Sequence, residues 1–152
     1  MMALKGGIYC LLLHNSPCSL RVGSLGTIVF SEGWHIYVGS ALGPGGFSRV
    51  ERHRLLAARK DRLPRWHIDA LLLSPSFTLA GACCGATTRP LECDLAKAIG
   101  GVSVPGFGCS DCRCGSHLFY RPEYPELEII NAFQSLGLFC HEQKYEIIAR
   151  KR

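Results

Sequence analysis

Five side chains spread along the sequence are of the types that hydrolyse a phosphodiester. Tyr9 ends the tripeptide GIY, Tyr37 begins the tripeptide YVG, Arg49 and His53 stand four residues apart, and Glu92 follows much later. A tyrosine of lowered pKa or a histidine can take the proton of an attacking water. An arginine can balance the charge that builds on a phosphate, and one carboxylate can hold a hydrated divalent ion near the leaving oxygen. These residue types therefore indicate metal-assisted hydrolysis, provided that the fold brings them together.

Positive charge is concentrated in residues 49–65, which we call the basic segment. It holds seven of the 17 Lys and Arg residues and two of the 12 Asp and Glu residues. The rest of the chain therefore has ten basic and ten acidic residues, which give it no net charge. Such a patch attracts phosphate backbones by Coulombic steering and counterion release, although a solvated helix face is the alternative explanation. The candidates for binding the backbone of a nucleic acid are Arg52, Arg54, Arg59, Lys60, Arg62 and Arg65.

The composition is that of a single folded domain. The chain has 152 residues, 47% of them hydrophobic and 19% charged, which provides one core but little room for two domains. The apolar run at 8–13 is too short for a secretory signal or a bilayer span, so we expect a cytoplasmic protein without a membrane partner. There, its nine cysteines are expected to be reduced, buried or bound to metal rather than joined in disulfides.

The hydrophobic pattern sets the expected fold class. Residues 7–13 are apolar on both faces, which is typical of a central strand covered on both sides. Further strands are predicted at 20–22, 27–30, 34–38, 77–86, 117–120 and 145–149, a strand or short apolar element at 66–73, and helices at 48–60, 91–99 and 125–136. We therefore expect an α/β (α+β) domain with a small mixed or antiparallel sheet flanked by helices.

The position of several polar side chains depends on these elements. Ser48 is expected to cap the first helix. Arg49 and His53 then share one face of that helix, distinct from its inward side, because they are four residues apart. If 66–73 is a strand, His67 and Asp69 face one side of it, where they either pair with each other or flank a substrate groove.

In their order along the chain, these features resemble the GIY-YIG nuclease superfamily, with GIY intact and YIG present as YVG. Four longer phrases, at 7–13, 37–43, 66–69 and 106–120, are similar to a branch called domain of unknown function 123, which also occurs joined to the DNA-repair enzyme endonuclease III. The resemblance implies a GIY-YIG-like nuclease domain over 1–120 that acts on nucleic acid, on DNA rather than RNA, and takes part in DNA repair. Residues 121–152 are then a C-terminal helix–strand extension packed on the same domain.

The resemblance also implies a role for each candidate residue. Tyr9 and Tyr37 would be paired tyrosines, one acting as the base or assisting it. Arg49 would stabilise the transition state, and His53 would assist proton transfer or position the phosphate. Glu92 would bind one Mg²⁺ or Mn²⁺ ion.

Two features depart from the superfamily's pattern. The interval between Tyr9 and Tyr37 is longer than the usual short hairpin, so either an inserted hairpin carries Tyr37 into register or the geometry of the site is altered. A polar residue that often closes the superfamily's site has no clear counterpart here, and Asn131 is the candidate. The alternative function is therefore a nucleic-acid-binding module with a degenerate, non-catalytic site.

The sequence also contains four soft metal ligands within nine residues. They are Cys109, Cys112, Cys114 and His117. Zinc sites usually join two separated ligand pairs, and no second pair is evident elsewhere in the sequence. The crowding favours buried thiols that support a tight turn over a structural Zn²⁺. A zinc-stabilised interaction domain remains as a third function class.

Overall fold

The computed structural model describes residues 5–109 and 114–145, and in these residues five strands form one antiparallel sheet with helices on both faces. The α+β class with a small antiparallel sheet is thus confirmed, and the strand order is β6-β4-β1-β5-β7. The elements are β1 (Gly7–Asn15), β2 (Cys18–Arg21), β3 (Thr27–Phe30), β4 (Gly33–Ser40), α1 (Ser48–Arg59), α2 (His67–Leu73), β5 (Phe77–Ala86), α3 (Glu92–Ile99), β6 (Leu118–Arg121), α4 (Glu126–Ser135) and β7 (His141–Lys144).

Strand β1 occupies the centre of the sheet because its side chains are apolar on both faces. One face, with Tyr9 and Leu11, packs in a core that includes Val50 and Leu56 of α1 together with the buried side of α2. The opposite face, with Ile8, Cys10 and Leu12, packs in a second core with α3 and α4. Alternate residues of a strand point to opposite faces, so the run of apolar residues predicted this double coverage correctly.

The hairpin β2–β3 accounts for the long interval between the two tyrosines. It forms a separate two-stranded sheet, and the chain then returns so that β4 pairs directly with β1. In this register Leu11 lies opposite Tyr37 and Tyr9 lies opposite Gly39. Because cross-strand partners share a face, Tyr9 and Tyr37 lie on the same face of the sheet, with ring centroids 6.4 Å apart.

Residues 67–73 form the helix α2, so the alternative of a strand was wrong for this segment. The side chain of Asp69 accepts hydrogen bonds from the backbone N–H groups of Arg65 (2.8 Å) and Trp66 (3.1 Å), which satisfies donors at the helix start. Ile68, Leu71 and Leu72 then lie on one buried side. The expected alternation of His67 and Asp69 along a strand is wrong as well, since Asp69 caps the helix and His67 points to the loop at Gly108.

The last strand among the described residues lies earlier than the sequence pattern predicts. Strand β7 spans His141–Lys144 and pairs with β5, whereas Tyr145 follows the strand and residues 146–149 of the predicted strand lie outside the described residues. All four side chains of β7 are exposed, so its position depends on backbone pairing and leaves no apolar signal. No helix within the described ranges is long and apolar enough to cross a membrane.

Candidate active site

All five residues singled out by their chemistry line one cavity of about 340 Å³. Tyr9 and Tyr37 form its floor on β1 and β4, Arg49 and His53 project from α1, and Glu92 approaches from the start of α3. The cavity is also lined by Ser40, Arg65, Trp66, His67, Gly108 and His117. The five candidate residues, which span 83 positions of the sequence from Tyr9 to Glu92, thus line the same cavity.

Tyr9 and His53 form the central contact of the cavity. The Tyr9 hydroxyl lies 2.8 Å from His53 Nε2, and the two residues are only 1% and 2% exposed. Burial lowers the pKa of His53 to about 4, because an imidazolium loses its hydration there. Burial also raises the pKa of the Tyr9 hydroxyl well above its ordinary value. At neutral pH the phenol is therefore protonated and the imidazole neutral, and Tyr9 donates this hydrogen bond in the tautomer whose imidazole proton is on Nδ1.

The prediction that His53 lies on a face of α1 distinct from its inward side was wrong. Helix α1 packs on the sheet through Val50, His53 and Leu56, which are three residues apart and so lie close together on one side. The hydrogen bond from Tyr9 satisfies the polar ring in this position. From the sequence alone, a histidine among arginines is expected on the solvent side of a helix. The burial of His53 is explained by its contact with Tyr9, which is distant in sequence.

Gly39 provides the space that the Tyr9 side chain occupies. A Cβ atom built at position 39 overlaps the ring and the hydroxyl of Tyr9, its cross-strand partner. Burial also raises the pKa of Tyr37, and the Tyr37 ring lies 6.4 Å from the His53 ring. The YVG tripeptide therefore contributes a tyrosine to the cavity and, two residues later, the gap for the other tyrosine.

We expect Gly39→Ala to destabilise the protein by about 1–3 kcal/mol, the usual cost of overpacking a buried site. The added methyl group must displace the Tyr9 ring and break its hydrogen bond with His53. Urea unfolding of the two proteins measures the difference. Gly43→Ala is the matched control, because a Cβ there meets nothing within 4 Å. Equal stability of Gly39→Ala and the wild type would contradict the close packing of Tyr9 on Gly39.

Three arginines surround one tryptophan at the rim of the cavity. The guanidinium carbons of Arg49, Arg52 and Arg65 lie 5.1, 5.0 and 5.6 Å from the centroid of the Trp66 ring. Arg49 is partly buried, whereas Trp66 remains 37% exposed. Cation–π attraction holds the guanidinium groups close together despite their like charge. The rim is therefore a preassembled positive surface next to Tyr9 and His53.

The remaining basic side chains divide into two groups. Arg54 pairs with Glu51 at 2.5 Å, and the Lys60 ammonium donates to the carbonyls of Leu72 (2.7 Å) and Ser74 (3.1 Å) at the end of α2. Arg59 and Arg62 are exposed. Lys60 thus has a structural partner that the sequence did not reveal, whereas Arg59 and Arg62 face solvent.

The start of α1 differs from its prediction in one detail. The N-cap residue is Phe47, and Ser48 is the first helical residue, without a side-chain capping bond. The glycine-rich loop before it turns through backbone hydrogen bonds, such as that from Ser48 N to Gly45 O at 3.0 Å. The helix consequently starts without the side-chain cap that its sequence suggested.

Glu92 lines the cavity from the first turn of α3. Its Oε2 atom lies 3.2 Å from Nδ1 of His117, and its side chain is 30% exposed. A carboxylate has two oxygens, so one can contact His117 while the other faces the cavity. One partly exposed carboxylate at an open cavity fits a hydrated Mg²⁺ or Mn²⁺, which keeps most of its waters when bound by protein.

Next to Glu92, three side chains converge into a group that could hold a metal ion. The ligand atoms of Cys93, Cys114 and His117 all lie within 4.8 Å of one another. Cys114 and His117 were predicted from their spacing in the sequence, whereas Cys93 was not, because it belongs to the first turn of α3 and not to the cysteine cluster. Cys109 is outside this group and donates to the Phe107 carbonyl at 3.4 Å, and Cys112 lies outside the described residues.

The fold and the cavity define a class of α+β protein in which a tyrosine of the central strand is hydrogen-bonded to a histidine of the first helix, beside an arginine and a carboxylate. The family model described as domain of unknown function DUF123 matches residues 8–138, and the chain belongs to this family. The match includes helix α4, where Asn131 is exposed and does not line the cavity. Comparison with curated proteins and with solved structures found no significant match.

Proposed function

We propose that this protein is a metal-dependent endonuclease that hydrolyses the backbone of a nucleic acid, with DNA as the first substrate to test. The main observation that supports this proposal is the cavity in which the Tyr9–His53 hydrogen bond lies beside Arg49 and Glu92. The sequence resemblance to GIY-YIG nucleases independently points to the same chemistry. Together they support a phosphodiester as the group that enters the cavity.

In this proposal the Tyr9–His53 pair moves the proton of the attacking water. The neutral imidazole accepts the Tyr9 proton at Nε2 while the Tyr9 oxygen takes a proton from the water. The two transfers leave a neutral tyrosine, an imidazolium and a hydroxide that attacks phosphorus. The bond from phosphorus to the leaving oxygen breaks, and that oxygen takes a proton from solvent while the imidazolium returns its own proton to solvent. Tyr37, on the adjacent strand, bounds the water's position and supports its orientation.

Arg49 and Glu92 act on the phosphate in this scheme. The Arg49 guanidinium donates to the non-bridging oxygens, whose negative charge increases in the transition state. Glu92 would hold one Mg²⁺ or Mn²⁺, which when bound supplies charge stabilisation at the leaving oxygen. Arg49 and Glu92 both line the cavity, as this division of roles requires.

The exposed arginines of the basic segment would bind the strand on either side of the scissile phosphate. Arg52 and Arg65 lie at the rim beside Trp66, and Arg59 and Arg62 extend the positive surface. Such contacts are independent of base sequence and weaken as salt concentration rises. We propose DNA repair in the cytoplasm as the setting, since nucleic acid and reducing conditions for the thiols occur together there.

The purified protein tests this proposal with labelled branched, nicked and single-stranded DNA, and with RNA of matched sequence. We expect cleavage that requires Mg²⁺ or Mn²⁺, stops on chelation and leaves defined ends. Binding measured at several salt concentrations in the same samples separates the alternative function. Salt-sensitive binding without cleavage of any substrate would replace the nuclease by a non-catalytic nucleic-acid-binding module.

A further inference from the structure

Two segments that are distant in sequence bring soft ligands to one point beside the cavity. Cys93 Sγ lies 2.7 Å from Cys114 Sγ, and Cys114 Sγ lies 2.8 Å from His117 Nε2. The separation between Cys93 Sγ and His117 Nε2 is 3.8 Å. Cys93 belongs to the first turn of α3, whereas Cys114 and His117 precede β6. Such a junction of separated segments is the arrangement that structural zinc sites use.

We propose that Cys93, Cys114 and His117 bind one Zn²⁺ ion, with water or a further side chain as the fourth ligand. Two thiolates and an imidazole form a soft donor set, which suits Zn²⁺ and not Mg²⁺ or Mn²⁺. Binding releases the two thiol protons to solvent, since only the thiolate coordinates the ion. The ion then ties the start of α3 to the segment before β6.

The geometry requires one small adjustment to accept the ion. Tetrahedral zinc, with Zn–S of about 2.3 Å and Zn–N of about 2.1 Å, holds its ligand atoms roughly 3.5–3.8 Å apart. The Cys93–His117 separation already meets this requirement. Cys114 Sγ must move outward by about 1 Å from its two neighbours. A partly exposed side chain in a loop can make such a shift.

The proposed ion would also determine which ring atom of His117 presents a proton to Glu92. Coordination through Nε2 leaves the ring proton on Nδ1, and Nδ1 lies 3.2 Å from Glu92 Oε2. His117 then donates to Glu92, in the carboxylate–histidine–zinc arrangement that fixes ligand orientation in many metal sites. Insofar as Glu92 serves the proposed nuclease, the zinc site positions that carboxylate without contacting substrate.

Metal analysis of the purified full-length protein tests the proposal without any measure of cleavage. We expect about one zinc per chain, and on Co²⁺ substitution a thiolate-to-cobalt charge-transfer band with visible bands of tetrahedral cobalt. Cys93→Ser and Cys114→Ser should each lower zinc affinity at least tenfold. Cys18→Ser is the control, because this partly buried thiol lies on the hairpin strand β2, and it should retain the metal.

The link to Glu92 has its own test. Glu92→Gln should weaken zinc binding about 10–100-fold by removing the carboxylate behind His117, whereas Asp94→Asn on the exposed side of the same helix should not. Equal zinc affinity in Glu92→Gln and the wild type would contradict the role of Glu92 in orienting His117, while the three proposed zinc ligands would stand.

Measurements on the wild-type protein alone can contradict the proposed zinc site. If the anaerobically reduced chain takes up neither zinc nor cobalt, or if mass spectrometry finds Cys93 and Cys114 joined in a disulfide, the proposal is wrong. These outcomes are separate from those for the nuclease. A zinc-loaded protein that never cleaves contradicts only the proposed function, and cleavage by a protein that binds no zinc contradicts only this inference.

Discussion

Arg49→Ala should lower the turnover of a cleaved nucleic acid by roughly 10²–10³-fold, the usual loss when one preorganised donor to a developing charge is removed. Arg49 is the only basic residue of α1 that combines a place in the cavity wall with partial burial beside His53. Its guanidinium is held by the Trp66 ring and needs little reorganisation as charge builds. Single-turnover cleavage with saturating enzyme measures this effect, and substrate binding should change little.

The matched control is the exposed part of the same segment. Arg59→Ala and Arg62→Ala remove the same charge from exposed positions that do not line the cavity, so they should weaken binding and reduce its salt dependence while the saturated rate is kept. Arg49→Lys should recover only part of the rate, because an ammonium lacks the planar fork. If all three alanine variants lose binding and rate equally, the segment is a plain electrostatic surface and Arg49 has no special role.

Tyr9→Phe should lower the cleavage rate by roughly 10²–10⁴-fold, the range typical of losing a proton-transfer group. The change deletes the hydroxyl that lies 2.8 Å from His53 Nε2 and leaves the ring in place beside Gly39. The neutral imidazole then has no relay to the attacking water. Cleavage rates at saturating substrate, together with unfolding curves that verify the fold, measure this loss.

Two other tyrosines calibrate the result. Tyr120→Phe removes a hydroxyl that donates to the Glu32 carbonyl outside the cavity, and it should leave the rate unchanged. Tyr37→Phe should have a smaller effect than Tyr9→Phe, since the contact with His53 Nε2 belongs to Tyr9. A larger loss in Tyr37→Phe than in Tyr9→Phe would show that Tyr37, and not Tyr9, transfers the proton.

The contrast between His35 and His53, two of the buried histidines, shows why burial alone does not identify a functional residue. Burial lowers the pKa of His35 to about 4 as well, and its Nδ1 atom lies 2.8 Å from the side-chain oxygen of Asn15. His35 packs among aromatic rings away from the cavity, where it contributes to the core. His53 differs because the hydroxyl that it contacts, that of Tyr9, lines an open cavity.

The linear pattern of residue types predicted the central strand, the first helix and the inserted hairpin correctly. These elements are determined locally, by apolar runs, glycine turns and charge periodicity. The same pattern failed for α2, where apolar residues at 68, 71 and 72 suit a helix but the cap depends on Asp69 binding two backbone N–H groups. It also failed for β7, whose exposed side chains carry no hydrophobic signal.

By itself, the sequence determined which chemical groups this protein possesses and which short elements carry them. Tyr9, Tyr37, Arg49, His53 and Glu92 could be selected by type and order alone. Their mutual geometry was decided by the tertiary structure. The β1–β4 register sets Tyr9 over Gly39, the packing of α1 buries His53 against Tyr9, and the approach of α3 brings Cys93 and Glu92 to His117. Each of these contacts joins residues more than 20 positions apart, and no local propensity encodes such a distance.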